Sequence, residues 1–253
     1  MQKQTLTARA LKEALGQGNG VLDRLLQALP AEVSDRLLSQ AALCEVPAGH
    51  TIIDRGGRSD VVGYVLEGTL GMIQTFDDGR KHIVGLLGPT DSYGRLFDGQ
   101  SNYRIEALSP ARMVTFPRAV LEDVLRSNLD AERLFLVHLL DEVDAAREWL
   151  LSIGGRRTIN RVASFLAILT RRARFQRGDL PEVVHVPISR SDLARYLGAR
   201  PETLSRAFHE LENRRILRIL DSSHFEILDQ TALIEAAGDD LPMEGPRLAG
   251  MGG

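Results

Sequence analysis

Three side chains on one short stretch have the chemistry to read the edge of a base pair. Glu202, Ser205 and Arg206 stand at i, i+3 and i+4, which places them on one face of a helix with 3.6 residues per turn. Arg takes guanine O6 and N7 together, Glu accepts from a cytosine amino group, and Ser pairs with either kind of base. His209 continues this polar face, while Leu204, Ala207, Phe208 and Leu211 share the opposite one. Such a helix has a side to bury and a second side that is either a solvated face or one to read with. Its reading groups sit in the first two turns, where a recognition helix enters the major groove.

The flanking residues are those needed to position it. Ser189 followed by Asp192 is a capping-box-like helix start, and Leu193, Ala194 and Leu197 give that first helix an apolar stripe. Gly198 suits a left-handed turn at its end. Pro201 suits the first position of the second helix, where a missing N–H costs nothing. After the second helix, Ile216–Leu220 and Phe225–Leu228 read as two short strands across Asp221–His224. A helix-turn-helix followed by a hairpin is a winged helix.

Charge follows the motif. Residues 156–230 carry 14 Arg against 9 acidic residues, while the remainder carries 17 basic against 25 acidic. The net charge of −3 therefore hides a basic C-terminal half and an acidic N-terminal half. A basic footprint for phosphates is expected on the winged helix. Arg156, Arg157, Arg161, Arg190 and Arg200 are the candidates for contacts to the DNA backbone.

Pro201-Glu-Thr-Leu-Ser-Arg206 resembles the recognition helix of the CRP/FNR regulators, in the branch of FNR, FixK and the nitric-oxide regulators. The resemblance extends to Arg161-Val-Ala-Ser-Phe-Leu166 and to the Gly-rich N-terminal half, about residues 25–230. It implies that Glu202, Ser205 and Arg206 contact bases, in half-sites resembling TTGAT. It implies a sequence-specific transcription regulator, an activator, in control of anaerobic, nitrogen-oxide or redox-responsive genes. The expected partners are a palindromic DNA duplex, a second copy of the chain and RNA polymerase.

Taken in order, residues 1–20 are polar and read as a flexible N-terminus. Residues 21–43 have helical apolar spacing, interrupted at Pro30. Residues 45–117 change to short β-rich runs punctuated by Gly56-Gly57, Glu67-Gly68, Asp77-Asp-Gly79 and Gly88-Pro89. That pattern suggests a small antiparallel barrel or jelly roll, and it resembles the cyclic-nucleotide-binding-type sensor barrel of the same family. Next, Leu136, Leu139, Val143, Ala146, Leu150 and Ile153 are spaced 3, 4, 3, 4, 3 along one long helix, about Leu129 to Ile153. Such a stripe can be buried against the chain's own barrel or form the seam of a parallel dimer, and a clean heptad over this length favours the dimer. Gly154-Gly155 then breaks the helix.

The expected fold is thus α+β. It comprises a sensor domain over 21–127, a dimerisation helix over 128–153, a winged helix-turn-helix over 154–238 and a disordered tail over 239–253. No run of 18 apolar residues occurs, and the first 20 residues hold no apolar core after Lys3. Neither a transmembrane helix nor a signal peptide is expected, and the location expected is cytoplasmic.

The sensor half sets limits on its own cofactors. A [4Fe–4S] cluster takes four cysteine thiolates, and Cys44 is the single cysteine of the chain. The family's cAMP binders use a Gly-Glu-Leu turn and a later Arg-Ser pair. Here the matching stretch runs Tyr93-Gly-Arg-Leu-Phe-Asp-Gly-Gln-Ser-Asn-Tyr-Arg-Ile105, with Arg95 in place of the Glu and no Arg-Ser pair. Neither group is expected. Three readings stay open: haem on His50, His82 or His138, a redox thiol at Cys44, and a barrel without ligand, as in FixK-like members. An enzyme is the competing class, in the form of a cupin-type metal site. No His-x-His, Gly-x-Ser-x-Gly or P-loop pattern supports one. Asp77, Asp78 and Arg80 lie on a barrel turn that resembles the hairpin with which FNR touches the polymerase sigma subunit.

Overall fold

The computed structural model describes residues 2–5, 21–97, 99–153, 157–177 and 182–238. The chain divides into two compact units, Met1–His138 and Leu139–Gly253.

The first unit is built on two antiparallel sheets. One has the strand order β1-β2-β9-β4-β7, formed by Gln2–Thr5, Ala42–Val46, Ala111–Pro117, Val61–Glu67 and Ser92–Tyr93. The other has the order β3-β8-β5-β6, formed by Thr51–Ile53, Arg104–Ala107, Leu70–Thr75 and Lys81–Leu87. Side chains from both meet in one core, with Cys44, Val46, Val65, Tyr93 and Met113 from the first and Ile53, Leu70, Ile105 and Ala107 from the second. The expected jelly roll is therefore a sandwich.

The first sheet is buried on both faces. Because side chains alternate along a strand, Met113 points into the sandwich while Val114 and Phe116 point out of it. Helices α1 (Val21–Ala28), α2 (Ala31–Ser39) and α3 (Arg118–Ser127) cover that outer face. Their Leu25, Leu37, Leu38, Leu121 and Leu125 pack with Val62, Tyr64, Val114 and Phe116 in a second core. Tyr64 meets Phe116 edge-on, with ring centroids 6.2 Å apart.

Gly63 on β4 leaves room for the ring of Tyr93, its cross-strand partner on β7. A Cβ built there would lie 2.3 Å from Cζ of Tyr93. Burial raises the Tyr93 phenol above its ordinary range, and the neighbouring Cys44 adds to the rise. Gly63→Ala should cost about 1–3 kcal/mol, the usual range for overpacking, read as a lowered urea midpoint. An unchanged midpoint would mean that Tyr93 yields without strain.

The long helix α4 runs Leu129–Ile153, as the spacing predicts. Asn128 caps it, its Oδ1 accepting from the Ala131 N–H at 3.1 Å. Ala131 and Phe135 pack into the core of the first unit. Beyond them Leu136, Leu139, Leu140, Val143 and Leu150 are all exposed large apolar residues, and Ala146 is exposed with them. Leu140 widens the expected seam. The side chain of Ile153 and all of Gly154, Gly155 and Arg156 lie outside the described residues.

In the second unit, α5 (Thr158–Arg177) buries Val162, Ala163, Phe165 and Leu166. Around it lie α6 (Arg190–Tyr196), α7 (Pro201–Asn213), α8 (Gln230–Ala237) and a three-stranded sheet. That sheet has the order β10-β12-β11, formed by Val183–His185, His224–Ile227 and Leu217–Ile219. Trp149, near the end of α4, stacks on Tyr196 of α6 with ring centroids 4.5 Å apart and planes within 3°. Phe165 of α5 meets both rings edge-on.

Two expectations change and two elements are added. The N-terminal stretch read as flexible contains β1, which pairs antiparallel with β2. Helical spacing read as far as residue 43 ends earlier, because Ala42 and Leu43 already pair with Thr115 and Val114 of β9. The wing gains a third strand, β10, held by β12. After the wing, α8 starts at an Asp229 cap whose carboxylate accepts from the Ala232 N–H. The expected tail, 239–253, and the rest of the expected flexible stretch, 6–20, lie outside the described residues.

Candidate nucleic-acid interface

The reading helix is held by the local chemistry that its flanks predict. Ser189 Oγ accepts from the Asp192 N–H at 3.1 Å, capping α6. Gly198 takes φ of 59°, the left-handed conformation that favours Gly. Arg200 occupies the N-cap of α7 and Pro201 its first position. Along α7, Leu204, Ala207, Phe208 and Leu211 are buried. Glu202, Ser205, Arg206 and His209 are exposed together on the other side. Arg206 Nε donates to the Glu202 carbonyl at 3.4 Å, which leaves its terminal nitrogens facing outward with no bond among the described residues. One exposed face therefore presents a carboxylate, a hydroxyl and a guanidinium on a rigid, buried back.

The other arginines separate into two kinds. Arg157 and Arg200 are exposed. Arg161 is engaged by its own domain: Nη1 donates to the carbonyls of Leu197 at 2.6 Å and Gly198 at 3.2 Å, and Nη2 to Thr158 Oγ1 at 3.2 Å. These carbonyls end α6, so Arg161 pins the turn between the two helices. Arg190 lies with its guanidinium carbon 3.9 Å from the Phe208 ring centroid and 4.7 Å from that of Phe225.

The wing is tied to α7 and to its own turn. Glu212 of α7 accepts from the Ile219 N–H at 2.9 Å, and this bond holds the Glu212 carboxyl below its ordinary range. Asp221 accepts from the N–H groups of Ser223 at 2.7 Å and His224 at 2.9 Å. The Ser223 bond is the largest cause of its strongly lowered pKa. The rings of His185 and His224 stack, with centroids 4.6 Å apart. Burial lowers the His185 pKa first, and the neighbouring His224 lowers it further.

A pH dependence follows, with its sign fixed by these directions. Below about pH 6.5, the unperturbed His value, an unfolded chain binds a proton at His185 that the folded wing resists. Stability then falls as pH falls. Asp221 adds a second loss below about pH 4, where the unfolded carboxyl is protonated and the folded one is not. Hydrogen exchange at the Ser223 and His224 amides, corrected for intrinsic rates, should show less protection at pH 5.5 than at 7.5. Equal protection would remove His185 from the account.

In the first unit, the candidate haem histidines lie on separate elements. His50 lies in the turn after β2, His82 on β6 and His138 on α4, and neither His50 nor His82 belongs to the core between the sheets. Cys44 is fully buried, with Sγ 3.6 Å from Thr115 Oγ1. Arg95 is exposed and donates to the Gln100 carbonyl at 3.2 Å. Among the described residues no group of three His, Cys, Asp or Glu is arranged to hold a metal. Asp77, Asp78 and Arg80 occupy the β5–β6 hairpin tip, where Arg80 Nε pairs with Asp78 Oδ2 at 2.6 Å. The Arg80 N–H and guanidinium hold the Asp78 carboxyl below its ordinary range. Phe76 beside them is half exposed, an apolar partner that the charge pattern alone did not single out.

A winged helix-turn-helix joined to a sandwich of this type defines a DNA-binding transcription regulator. The model of the Crp-like helix-turn-helix domain matches residues 160–236, and that of the cyclic nucleotide-binding domain matches residues 43–128. The transcriptional activator protein FnrL of Cereibacter sphaeroides is 34% identical over 196 residues, 76% of this chain and 79% of that protein. The nitrogen fixation regulation protein FixK of Bradyrhizobium diazoefficiens is 28% identical over 68% of this chain and 73% of its own length. The structure of FixK2 from Bradyrhizobium japonicum shares the fold, with a TM-score of 0.72 at 23% identity, covering 79% of this chain and 98% of that one. The chain belongs to the CRP/FNR family, in the branch of FNR and FixK.

Proposed function

We propose that this protein is a transcriptional activator that binds, as a homodimer, a palindrome of FNR-like half-sites. Its targets on this reading are anaerobic, nitrogen-oxide or redox-responsive genes. The observation that carries the proposal is the exposed Glu202, Ser205 and Arg206 face on α7, set on a buried apolar back. These three contact bases, while Arg156, Arg157 and Arg200 contact the backbone. The exposed apolar stripe of α4 pairs with a second copy. The hairpin bearing Asp77, Asp78 and Arg80 faces RNA polymerase. Activation is supported by the printed role of FnrL, a transcriptional activator. The protein carries out no enzymatic step and acts in the cytoplasm. No helix among the described residues is long and apolar enough to cross a membrane.

For the sensor half, the reading without ligand is favoured by the way Tyr93 fills the space over Gly63 beside buried Cys44. Haem on one of the three histidines is the alternative. An iron–sulfur switch is disfavoured by arithmetic, since two copies of Cys44 fall short of four thiolates. Protein purified in air should lack cluster absorption, stay dimeric and shift an FNR-type palindrome. The comparison is a gel-shift titration of aerobic against anoxic protein, with iron and sulfide assayed in each and haem added to a third sample. Stoichiometric iron and sulfide in the anoxic sample, with binding only there, overturns the cluster-free reading. Binding only with haem selects the alternative.

A further inference from the structure

Arg190 is the first residue of α6, yet its side chain reaches away from that helix. Its guanidinium lies across Phe208 of α7 and Phe225 of β12. Those two rings are themselves stacked, with centroids 4.6 Å apart and planes 23° apart. Both are almost wholly buried. Three elements of the winged helix therefore meet at one flat cation.

The neighbouring arginines behave differently. Arg195 pairs with Asp192, Arg214 with Glu210 and Arg218 with Glu226. Among the described residues Arg190 has no carboxylate partner, although Asp192 is two residues away. Its Nη1 is buried without a hydrogen bond among the described residues. Burial lowers its pKa, so the charge is held at a cost in solvation. The faces of the two rings offset that cost, because an aromatic quadrupole attracts a cation over its face.

Phe208 stands three residues after Ser205 and two after Arg206 on the same helix. Whatever sets the Phe208 ring also sets the rotation of the reading face. We propose that Arg190 is a positioning residue for sequence readout. Laid on the Phe208 and Phe225 rings, it fixes α7 against the wing and so aims Glu202, Ser205 and Arg206. This rests on the reading that α7 faces the bases. It differs from the duty expected of Arg190 from sequence, a contact to phosphate.

The two duties respond differently to substitution. A phosphate contact needs only positive charge within reach, so Arg190→Lys would leave it nearly intact. A flat guanidinium stacked on rings has no substitute in a tetrahedral ammonium. The test measures the affinity of the dimer for an FNR-type palindrome and for a scrambled duplex across a salt series. The proteins are wild type, Arg190→Lys, Arg190→Met and Phe225→Leu, with urea midpoints as a folding control. Arg190→Lys and Arg190→Met should each lower the specific-to-nonspecific ratio roughly three- to thirtyfold. The salt slope should stay within about half a unit of wild type. Phe225→Leu should lower the ratio in the same direction, and adding Arg190→Met to it should cost little more.

Arg190→Lys at wild-type ratio, with Arg190→Met losing affinity for both duplexes and about one unit of slope, overturns the proposal in favour of a phosphate contact. Should Phe225→Leu fail to fold, the Lys and Met variants decide alone. A wild-type protein without preference for the palindrome would instead overturn the reading of α7 itself.

Discussion

Val143→Glu should convert the protein to a monomer and abolish tight binding to a palindrome. Val143 lies in the middle of the exposed α4 stripe, between Leu139 and Leu140 on one side and Ala146 and Leu150 on the other. In a parallel pair of helices it faces its own copy across the two-fold axis. Glutamate there puts two like charges into a dry seam, and the cation within reach on the same helix, Arg147 four residues on, already pairs with Asp144. An uncompensated buried charge costs about 3–5 kcal/mol. That is two to four decades in a dissociation constant, at about 1.4 kcal/mol per decade. Both half-sites of a palindrome must be filled together for tight binding, so the DNA affinity should fall with the dimer. Analytical ultracentrifugation and a gel shift on the same preparations check both parts. A variant that remains fully dimeric moves the interface off this stripe.

Arg206→Ala should relax sequence discrimination and leave nonspecific binding almost untouched. The back of α7 at this point is Leu204, Ala207 and Phe208, all buried, so trimming Arg206 disturbs no core. Its terminal nitrogens face outward and match guanine O6 and N7. Loss of one bidentate base contact costs about 1–3 kcal/mol. The loss should appear at one base pair of each half-site. By contrast, Arg200→Ala, at the exposed N-cap of the same helix, should weaken all sequences alike and flatten the salt dependence by roughly one unit. Competition titrations over single-base variants of the site separate the two. An unchanged specific-to-nonspecific ratio for Arg206→Ala would take base readout away from this face.

The winged helix was readable in advance because its rules are local. The Ser189 cap, the Gly198 turn, Pro201 and the 3.6-residue spacing of Leu204 to Leu211 each act within a few residues. The α4 boundaries were readable for the same reason. What escaped depends on partners distant in the chain. Gln2–Thr5 is a strand only because Ala42–Val46 offers it an edge. Val183–His185 is one only because β12 does. Arg161 and Arg190 both looked like phosphate contacts, since a basic domain invites that assignment. Within the fold, Arg161 meets carbonyls 36 and 37 residues onward, and Arg190 meets an aromatic pair drawn from two other elements. Composition counts charges but does not say which of them the fold has already engaged.

The ring stack at the end of α4 makes the protein its own optical probe. Trp149 is the single tryptophan of the chain, and it sits face to face with Tyr196 of the first helix-turn-helix helix. Indole emission from this molecule therefore comes from one joint. Any motion that slides the last turns of α4 over α6 alters the light, and a rotation that carries both together leaves it dark to the experiment. Binding of a DNA duplex thus becomes distinguishable as bending or as rigid turning at that joint, without a label.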